Sequence, residues 1–444
     1  MEKIHIAGGA RLTGAVQVSG SKNSALALLA ATLLAEGATI LDNVPSIGDI
    51  HTMTDMLAQL GARVRWLSGH RLEVDASYVN TSETSYDLVR KMRASFGVLG
   101  PLLARYGTAR VALPGGCDIG ARSIDFHVKG LAAMGATFTT EHGFVEGHTD
   151  GLHGANILLD YPSVGATNQI LTAATLAHGT TTIENAAEEP EIQDLANLLR
   201  AMGARITGDG TKRIVIEGVE RLHPVKHRVI PDRIETGTFM VAAAITGGDM
   251  VIRNAVLEHV KPILLKMLEM GVSVDIDGPP MQVYDREFPE PIPVAAIRVM
   301  APRRVRSADL TVTTHPGFPT DMHPPMAALL SVAQGTAVIT ETVFEKRFRY
   351  AGELQRMGAD IRVSGQTAVI VGVEELTGAE VTAPDLRAGA SLVLAALAAE
   401  GDSEIAGLEH IDRGYENLVQ KLQTLGAQVT RCDAESRRGL LSYV

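Results

Sequence analysis

The sequence predicts an α/β protein of two similar lobes, with apolar helices inside and sheets and amphipathic helices outside. A unit of about seventy residues repeats six times along the 444-residue chain, and a fixed internal period is a strong sign of repeated architecture. The first helix of each unit is apolar nearly all round, which is typical of an interior helix. Two sets of three units would form two lobes with a ligand cleft between them.

Each unit has the same order of elements. An apolar helix ends at a glycine, which we call the hinge glycine, and a β-rich run follows. An amphipathic helix then ends at a second glycine, the closing glycine, which is followed by alanine or valine and another strand. In the first unit we predict helices over 24–36 and 50–60, ending at Gly37 and Gly61. Glycine takes the left-handed C-cap conformation at little cost, and β-rich runs after a cap indicate strands. The later hinge glycines are Gly107, Gly179, Gly248, Gly335 and Gly401, and the later closing glycines are Gly135, Gly203, Gly271, Gly358 and Gly426.

Composition narrows the class of protein. Hydrophobic residues make up 45%, charged residues 20% and aromatic residues 4%, and the formal net charge is −11. This balance fits a globular α/β chain and disfavours non-specific nucleic-acid binding. The N-terminus resembles a strand and lacks the apolar core of a secretory signal, and no apolar run is long enough for a membrane span. Since Cys117 and Cys432 form neither a disulfide framework nor a zinc motif, we expect a reduced, cytoplasmic protein with a loose tail over 435–444.

One of the two cysteines lies in a loop with unusual chemistry. The stretch 113–122, LPGGCDIGAR, surrounds Cys117 with proline and glycine and places Arg122 five residues later. Such loops are usually exposed and mobile, and a nearby guanidinium favours the thiolate and attracts anions. The residues alone leave two interpretations open, a reactive or ligand-gating thiol and an ordinary loop cysteine.

The starts of the predicted interior helices carry positive charge. Ordinary capping explains the Ser, Thr, Asp and Asn residues found there. It does not explain Lys22, Arg93, Arg233 and Arg387, because a cation at a helix N-terminus opposes the helix dipole. A bound anion would account for them. If all six helix starts face one cleft, we expect an electropositive surface that attracts phosphates and carboxylates.

Three residues of the second half give weaker signals by themselves. Asp321 follows a rigid His-Pro-Gly-Phe-Pro loop at a helix start, where a capping role is more common than a base. Arg347 has the sequence context of a solvated surface charge. Arg413 precedes a glycine in a turn.

Together these stretches make the chain similar to the UDP-N-acetylglucosamine 1-carboxyvinyltransferase family of enolpyruvyl transferases, over about residues 3–431. The number, order and spacing of the motifs make the resemblance specific. It implies the family's inside-out α/β barrel fold, with one lobe over 22–230, a second combining 1–21 with 231–444, and the active site between them. The matching stretches are 19–23, 93–95, 113–122, 163–167, 184–187, 231–238, 318–322, 385–387 and 410–416.

The resemblance implies a reaction and its partners. The enolpyruvyl group of phosphoenolpyruvate would pass to the 3′-hydroxyl of UDP-N-acetylglucosamine by addition and elimination, with release of phosphate. This is the first committed step of peptidoglycan precursor synthesis. No metal or organic cofactor is implied, nor a nucleic-acid or membrane partner, and a monomer is one expectation.

The resemblance also implies roles for individual residues of this chain. Cys117 resembles the thiol that protonates C3 and forms an adduct with phosphoenolpyruvate, and Asp321 resembles the group that takes the proton from the sugar hydroxyl. Tyr161 departs from the pattern, since some members place a lysine there. The resemblance implies phosphoenolpyruvate contacts from Lys22, Asn23, Arg122, Arg387 and Arg413, with Lys22 and Arg413 also catalytic. It implies sugar-nucleotide contacts from Asn23, Arg93, Ser123, Ile124, Asp125, Phe126, Ser163, Gly165, Asp321 and Val343.

Three alternatives remain at this stage. The shikimate-pathway enolpyruvyl transferase is similar in fold but lacks the cysteine loop. A non-catalytic paralogue would bind the sugar nucleotide without turnover, and a binding module would take some other anion. Turnover with both substrates would distinguish the enzyme from the paralogue, and saturation by UDP-N-acetylglucosamine but not shikimate 3-phosphate would exclude the third.

The resemblance also implies a response to fosfomycin, because an aspartate in place of the loop cysteine would suggest resistance to this inhibitor. Since the loop carries Cys117, we expect fosfomycin to modify this thiol and abolish activity. Intact mass and peptide mapping after incubation check this, with Cys432 as the internal control. An unmodified Cys117 and full activity would show that the expectation is wrong.

Overall fold

The computed structural model describes residues 2–114, 124–276, 281–285 and 288–433. The predicted site residues Cys117, Arg122 and Ser123 lie outside this part of the chain, as does the tail over 435–444, so the predictions for them stay predictions.

Helices and strands are distributed along the whole described chain. The helices are α1 Lys22–Ala31, α2 Gly48–Gln59, α3 Tyr86–Lys91, α4 Leu99–Tyr106, α5 Asp125–Ala133, α6 Val164–Ala174, α7 Pro190–Ala201, α8 Arg233–Ile245, α9 Leu257–Glu269, α10 His323–Val332, α11 Ala351–Arg356, α12 Leu386–Ala398, α13 Leu408–Ile411 and α14 Leu418–Thr424. The strands are β1 Glu2–Ala7, β2 Thr13–Gln17, β3 Ala38–Asp42, β4 Arg63–Ser68, β5 Arg71–Asp75, β6 Thr108–Ala112, β7 Thr137–Glu141, β8 Phe144–His148, β9 Asn156–Leu158, β10 Thr180–Glu184, β11 Arg205–Thr207, β12 Arg213–Glu217, β13 Lys226–Arg228, β14 Asp249–Ala255, β15 Ser273–Ile276, β16 Met281–Asp285, β17 Phe288–Met300, β18 Leu310–Val312, β19 Thr336–Glu341, β20 Asp360–Ser364, β21 Thr367–Val371, β22 Glu380–Thr382, β23 Asp402–Ala406 and β24 Gln428–Asp433.

Sheet pairing confirms the predicted repeat. The described residues form small sheets in the orders β13-β3-β5-β4, β6-β8-β7, β11-β12-β10-β9, β15-β17-β14-β2, β18-β19-β21-β20 and β22-β23-β1-β24. In five of these sheets the strand after an interior helix pairs parallel with one neighbour and antiparallel with another. In the β6 sheet a single parallel bridge, Glu83 to Arg110, takes the place of the parallel strand.

The apolar helices lie inside, as predicted. Every residue of α8 from Ile234 to Ile245 is buried, and so is every residue of α12 from Leu386 to Leu397. Capping fixes where these helices begin, because Asp232 accepts the amides of Ile234 and Glu235 at 2.7 and 2.9 Å. The fold is therefore the expected inside-out α/β arrangement of repeated units.

The closing glycines behave as predicted, and one hinge glycine does not. All six closing glycines, from Gly61 at φ +103° to Gly426 at φ +92°, adopt the left-handed region. In the fourth unit the left-handed residue is Gly247, with φ +59°, and not the predicted Gly248. The helix there ends one residue earlier than the pattern indicates.

Two helix predictions are wrong in their boundaries. The first interior helix begins at Lys22 and gives way to a 3₁₀ turn over Thr32–Leu34, so it neither starts at residue 24 nor continues to residue 36 as one α-helix. Arg93 begins a 3₁₀ turn, Arg93–Val98, and the interior helix of that unit starts only at Leu99.

Two separate hydrophobic cores support the proposed lobes. One core draws its buried residues from 25–229, and the other from 4–18 and 234–429. The chain passes between them twice, side by side: the Ser21 amide donates to the Ile230 carbonyl at 2.7 Å, and the Asp232 amide donates to the Ser19 carbonyl at 3.0 Å. Gly20 lies at this double crossing, where a Cβ would come within 1.7 Å of the Asn43 carbonyl oxygen.

We expect Gly20→Ala to lower the free energy of unfolding by several kcal/mol, because backbone must move to admit the methyl group. Gly69→Ala is the matched control, since a Cβ there meets nothing within 4 Å and should change stability by less than about 1 kcal/mol. Thermal unfolding midpoints compare the two variants. Equal midpoints would contradict the close packing at the crossing.

Candidate active site

The double crossing brings two interior helices together at their N-termini. The Lys22 amide at the start of α1 donates to Asp232 Oδ2 at 3.0 Å, while Asp232 Oδ1 caps α8. One carboxylate therefore joins the first residues of two helices that belong to different cores.

Asp49 holds two of the predicted substrate-binding cations. It lies in the first turn of α2, is buried, and pairs with Lys22 Nζ through Oδ2 at 2.8 Å. The same carboxylate accepts from Arg413 Nε through Oδ1 at 2.7 Å. Nearby, the Gly48 amide donates to the Asp412 carbonyl at 3.1 Å. The turn that carries Arg413 is thus fixed against the N-terminus of α2.

Asp321 forms the centre of a second group. Arg347 donates to its Oδ1 at 2.7 Å, and Arg387 donates to its Oδ2 at 3.1 Å. The interpretation of Arg347 as a solvated surface charge is wrong, because its side chain is only 2% exposed. Asp321 does not cap a helix: it lies within the 3₁₀ turn Thr320–Met322, which has no side-chain cap. The two ion pairs favour the ionised carboxylate.

Electrostatic contacts connect the two groups. The Arg387 guanidinium carbon lies 5.4 Å from the ring centre of Tyr415. Burial lowers the pKa of Arg387, but Asp321, Tyr415 and Asp232 more than offset this and raise it. Since Asp232 also binds the Lys22 amide, the structure brings Lys22, Arg387 and Asp321 to one place at the junction of the cores.

The cations predicted to form an electropositive surface are paired with carboxylates in the structure. Arg233, at the start of α8, donates to Glu191 at 2.9 Å and is largely buried. Lys22, Arg387 and Arg413 are likewise paired with carboxylates. Buried cations require such partners. These four cations are therefore held in place by acidic residues. Asp49 and Asp321 each pair with two cations, so both groups keep an excess of positive charge.

The predicted sugar-nucleotide positions lie on several elements. Ser163 caps α6 by accepting the Ala166 amide at 3.3 Å, and a Cβ on Gly165 would meet the His127 ring at 2.9 Å. The His127 ring packs edge-on against Phe96, with centroids 5.4 Å apart. Burial lowers the pKa of His127 to about 4, so the ring is neutral at pH 7.

The remaining predicted positions lie on α1, on α5, in the 3₁₀ turn that Arg93 begins and in the loop after β19. Ile124 precedes α5, and Asp125 and Phe126 lie in its first turn. Asn23 is exposed in the first turn of α1, and Val343 is half-buried in the loop after β19. Arg93 acts electrostatically on His127 and lowers its pKa, which places it beside the same ring.

Tyr161 and Glu189 lie where the two cores approach each other. Burial raises the pKa of Tyr161, and Glu189 and Glu341 raise it further. Burial also raises the pKa of Glu189 to about 7, although Arg233 opposes the rise. Glu189 Oε2 is buried without a hydrogen-bond partner. Tyr161 therefore lies among acidic groups, where it adds no positive charge.

Sequence reasoning did not identify the acidic partners of the cations. Asp49 and Glu191 each lie in the first turn of an amphipathic helix, where an acidic residue is usual and carries no special signal. Their partners lie far along the chain, so only the fold shows the pairing.

No group of three or more His, Cys, Asp or Glu residues suited to a metal ion occurs among residues 2–114, 124–276, 281–285 and 288–433. Within the same described ranges, no helix has the length and apolar character needed to cross a bilayer.

Solved structures similar to this one define the class of protein. The enolpyruvyl transferase NikO from Streptomyces tendae has a TM-score of 0.85 and 28% identity, covering 97% of this chain and 98% of its own. An EPSP synthase from Acinetobacter baumannii has a TM-score of 0.76 over 98% of this chain and all of its own, and its 19% identity speaks for the fold alone. The fold is that of the enolpyruvyl transferases.

Sequence comparison gives the family. The sequence model of EPSP synthase (3-phosphoshikimate 1-carboxyvinyltransferase) matches residues 6–422, and the chain belongs to this family. Two curated relatives are named UDP-N-acetylglucosamine 1-carboxyvinyltransferase. The protein from Desulfosudis oleivorans is 50% identical over 97% of this chain and 99% of its own, and that from Gloeobacter violaceus is 51% identical over 96% and 90%.

The raised pKa of Glu189 makes stability depend on pH. Between the ordinary value of 4.5 and about 7, the folded chain binds a proton that the unfolded chain has lost, so the free energy of unfolding falls as pH rises through this window. Glu189→Gln does not ionise. We expect the variant to gain stability relative to the wild type from pH 5 to pH 8, by about 3 kcal/mol at most.

Thermal unfolding at pH 5, 6, 7 and 8 measures this difference, in which the titration of other groups cancels. Glu188→Gln, next in the chain, is the control and should follow the wild type. A pH profile of Glu189→Gln parallel to that of the wild type would rule out the buried carboxylate as the source.

Proposed function

We infer that the chain transfers the enolpyruvyl group of phosphoenolpyruvate to the 3′-hydroxyl of UDP-N-acetylglucosamine and releases phosphate, in peptidoglycan precursor synthesis. The observation that carries this conclusion is about 50% identity, over nearly the whole chain, to two relatives named for that activity. The geometry agrees with it, since paired cations and a buried carboxylate meet at the junction of the two cores.

Lys22, Arg387 and Arg413 are proposed to bind the phosphate and carboxylate of phosphoenolpyruvate, with Asn23 and Arg122 beside them. All three described cations point at carboxylates that keep them fixed before substrate arrives. Fixed cations stabilise the charge that develops during addition and elimination without having to reorganise. Lys22 and Arg413 share Asp49, so an anion could contact both at once.

Asp321 is proposed to accept the proton of the sugar hydroxyl as this oxygen attacks C2 of phosphoenolpyruvate. Its side chain is 27% exposed between two nearly buried arginines, so solvent or a substrate can reach it. An ionised carboxylate held at both oxygens has a defined direction for proton transfer. C3 takes a proton in the addition step, and the family resemblance assigns this proton to Cys117. In the elimination step phosphate leaves C2 and C3 gives up a proton, which restores the double bond of the enolpyruvyl group.

The sugar nucleotide is proposed to lie along α5, α6 and the loop after β19. Arg93, Ser123, Ile124, Asp125, Phe126, Ser163, Gly165 and Val343 are the proposed contacts, together with Asn23 and Asp321. The start of α6 packs closely on α5, because a Cβ on Gly165 would meet the His127 ring at 2.9 Å, so the proposed contacts on the two helices lie side by side. The neutral His127 ring provides apolar and hydrogen-bonding surface there, without charge.

The test is phosphate release from phosphoenolpyruvate by purified protein. We expect release only when UDP-N-acetylglucosamine is present, with shikimate 3-phosphate giving none. Cys117→Ala should lower the rate by at least about 100-fold, while Cys432→Ser should match the wild type because that thiol lies on β24.

Each alternative function gives a different result. Binding of the sugar nucleotide without phosphate release would identify a non-catalytic paralogue, and release with shikimate 3-phosphate would identify the shikimate-pathway reaction. Either result would overturn the conclusion.

The substrates also lead us to propose the cytoplasm as the location of the protein.

A further inference from the structure

A buried ring of hydrogen bonds lies behind Asp321. Its central residue is Glu341, the last residue of β19, which is fully buried together with His323 and Tyr350. Glu341 Oε2 accepts from the Thr320 hydroxyl at 2.8 Å and lies 3.0 Å from His323 Nδ1. His323 Nε2 lies 2.7 Å from the Tyr350 hydroxyl.

The other oxygen of Glu341 holds a different segment. Oε1 accepts the backbone amides of Val343 at 2.7 Å and Phe344 at 3.2 Å. One carboxylate thus binds both the turn before α10 and the loop after β19. The turn carries Asp321, and the loop carries Val343.

Arg347 closes the ring. Arg347 and Tyr350 are the two ends of one 3₁₀ turn. Arg347 donates to the Thr320 carbonyl at 3.3 Å and to Asp321 Oδ1 at 2.7 Å, while Tyr350 contacts His323. The position of Asp321 is therefore fixed from two sides, through its own turn and through Arg347.

The charge states give each bond a single direction. Burial lowers the pKa of His323, so the imidazole is neutral. Burial acts to raise the pKa of Glu341, but hydrogen bonds from His323, Val343 and Thr320 outweigh it and lower the pKa. A neutral ring donates from Nδ1–H to the carboxylate and accepts at Nε2 from Tyr350, whose pKa burial raises.

We propose that Glu341 is a positioning residue, which fixes Asp321 and Val343 relative to each other so that the proton acceptor and the sugar-nucleotide contact act on the same substrate molecule. The proposal rests on the function inferred above, in which Asp321 takes the proton of the sugar hydroxyl. A displacement of about 1 Å at a reacting group can cost a hundredfold in rate. A single shared anchor limits such displacement.

Glu341→Gln keeps the shape of the side chain but presents an amide NH₂ to His323 and Thr320, so the ring must rearrange. We expect kcat to fall by at least about tenfold and the Kd for UDP-N-acetylglucosamine to rise several-fold. The thermal midpoint should stay within a few degrees. The control is Glu375→Gln, which changes an exposed carboxylate in the loop between β21 and β22. It should leave kcat, the Kd and the thermal midpoint unchanged.

The decisive measurement repeats Glu341→Gln in an Asp321→Asn background. If Glu341 acts on turnover through Asp321, the second substitution should change single-turnover rates by less than about twofold there, while the effect on sugar-nucleotide affinity should persist. An equal fall in rate in both backgrounds, or no fall in either, would overturn the proposal.

Tyr350→Phe guards against poor folding of Glu341→Gln, since it removes only the hydroxyl bonded to His323. We expect a smaller fall in kcat that also disappears in the Asp321→Asn background. If Asp321→Asn alone retains wild-type turnover, the inferred role of Asp321 is wrong, and the positioning proposal fails with it. If Asp321→Asn loses turnover but Glu341→Gln and Tyr350→Phe do not, only the positioning proposal fails.

Discussion

The arrangement of this site depends on the ion pairs that Asp49 makes with Lys22 and Arg413. Lys22 and Asp49 lie on α1 and α2, whose apolar residues belong to the core built from 25–229. Arg413 lies just after α13, whose apolar residues belong to the other core. The shared carboxylate fixes two cations, Lys22 and Arg413, that lie almost 400 residues apart in the sequence. The Gly48 to Asp412 hydrogen bond beside it holds the two cores together at the same point.

Buried carboxylates perform this task throughout the site. Asp232 joins the starts of α1 and α8, and Glu191 holds Arg233. Asp194 binds the side chains of Ser24 and His227 and the Ile230 amide. Such groups contribute little net stability, but removing one partner leaves a buried charge without compensation and costs about 3–5 kcal/mol. They define where the cations that we propose as substrate contacts lie.

The sequence predicted the repeat, the interior helices and the closing glycines, because these depend on local preferences and on period. Helix capping also depends on local sequence. The structure shows side-chain caps at the starts of four interior helices, from Ser21, Ser163, Asp232 and Asp385. The family resemblance, confirmed by the sequence relatives, supplied the reaction. Site roles, lobe boundaries and the Cys117 loop stay predictions.

What the sequence could not supply is pairing at a distance. Arg347 has the sequence context of a surface charge, and only the packing of its 3₁₀ turn against Asp321 buries it. Asp49 looks like an ordinary first-turn carboxylate until α2 meets the Arg413 turn.

The most direct test of this account is the kinetics of Asp49→Asn against Asp55→Asn, an exposed carboxylate on the same helix. The account predicts that Asp49→Asn lowers kcat/KM for phosphoenolpyruvate by at least about tenfold, the effect of losing one charge-assisted contact, while Asp55→Asn matches the wild type. Equal kcat/KM for Asp49→Asn and the wild type would contradict the claim that this carboxylate places Lys22 and Arg413 for catalysis.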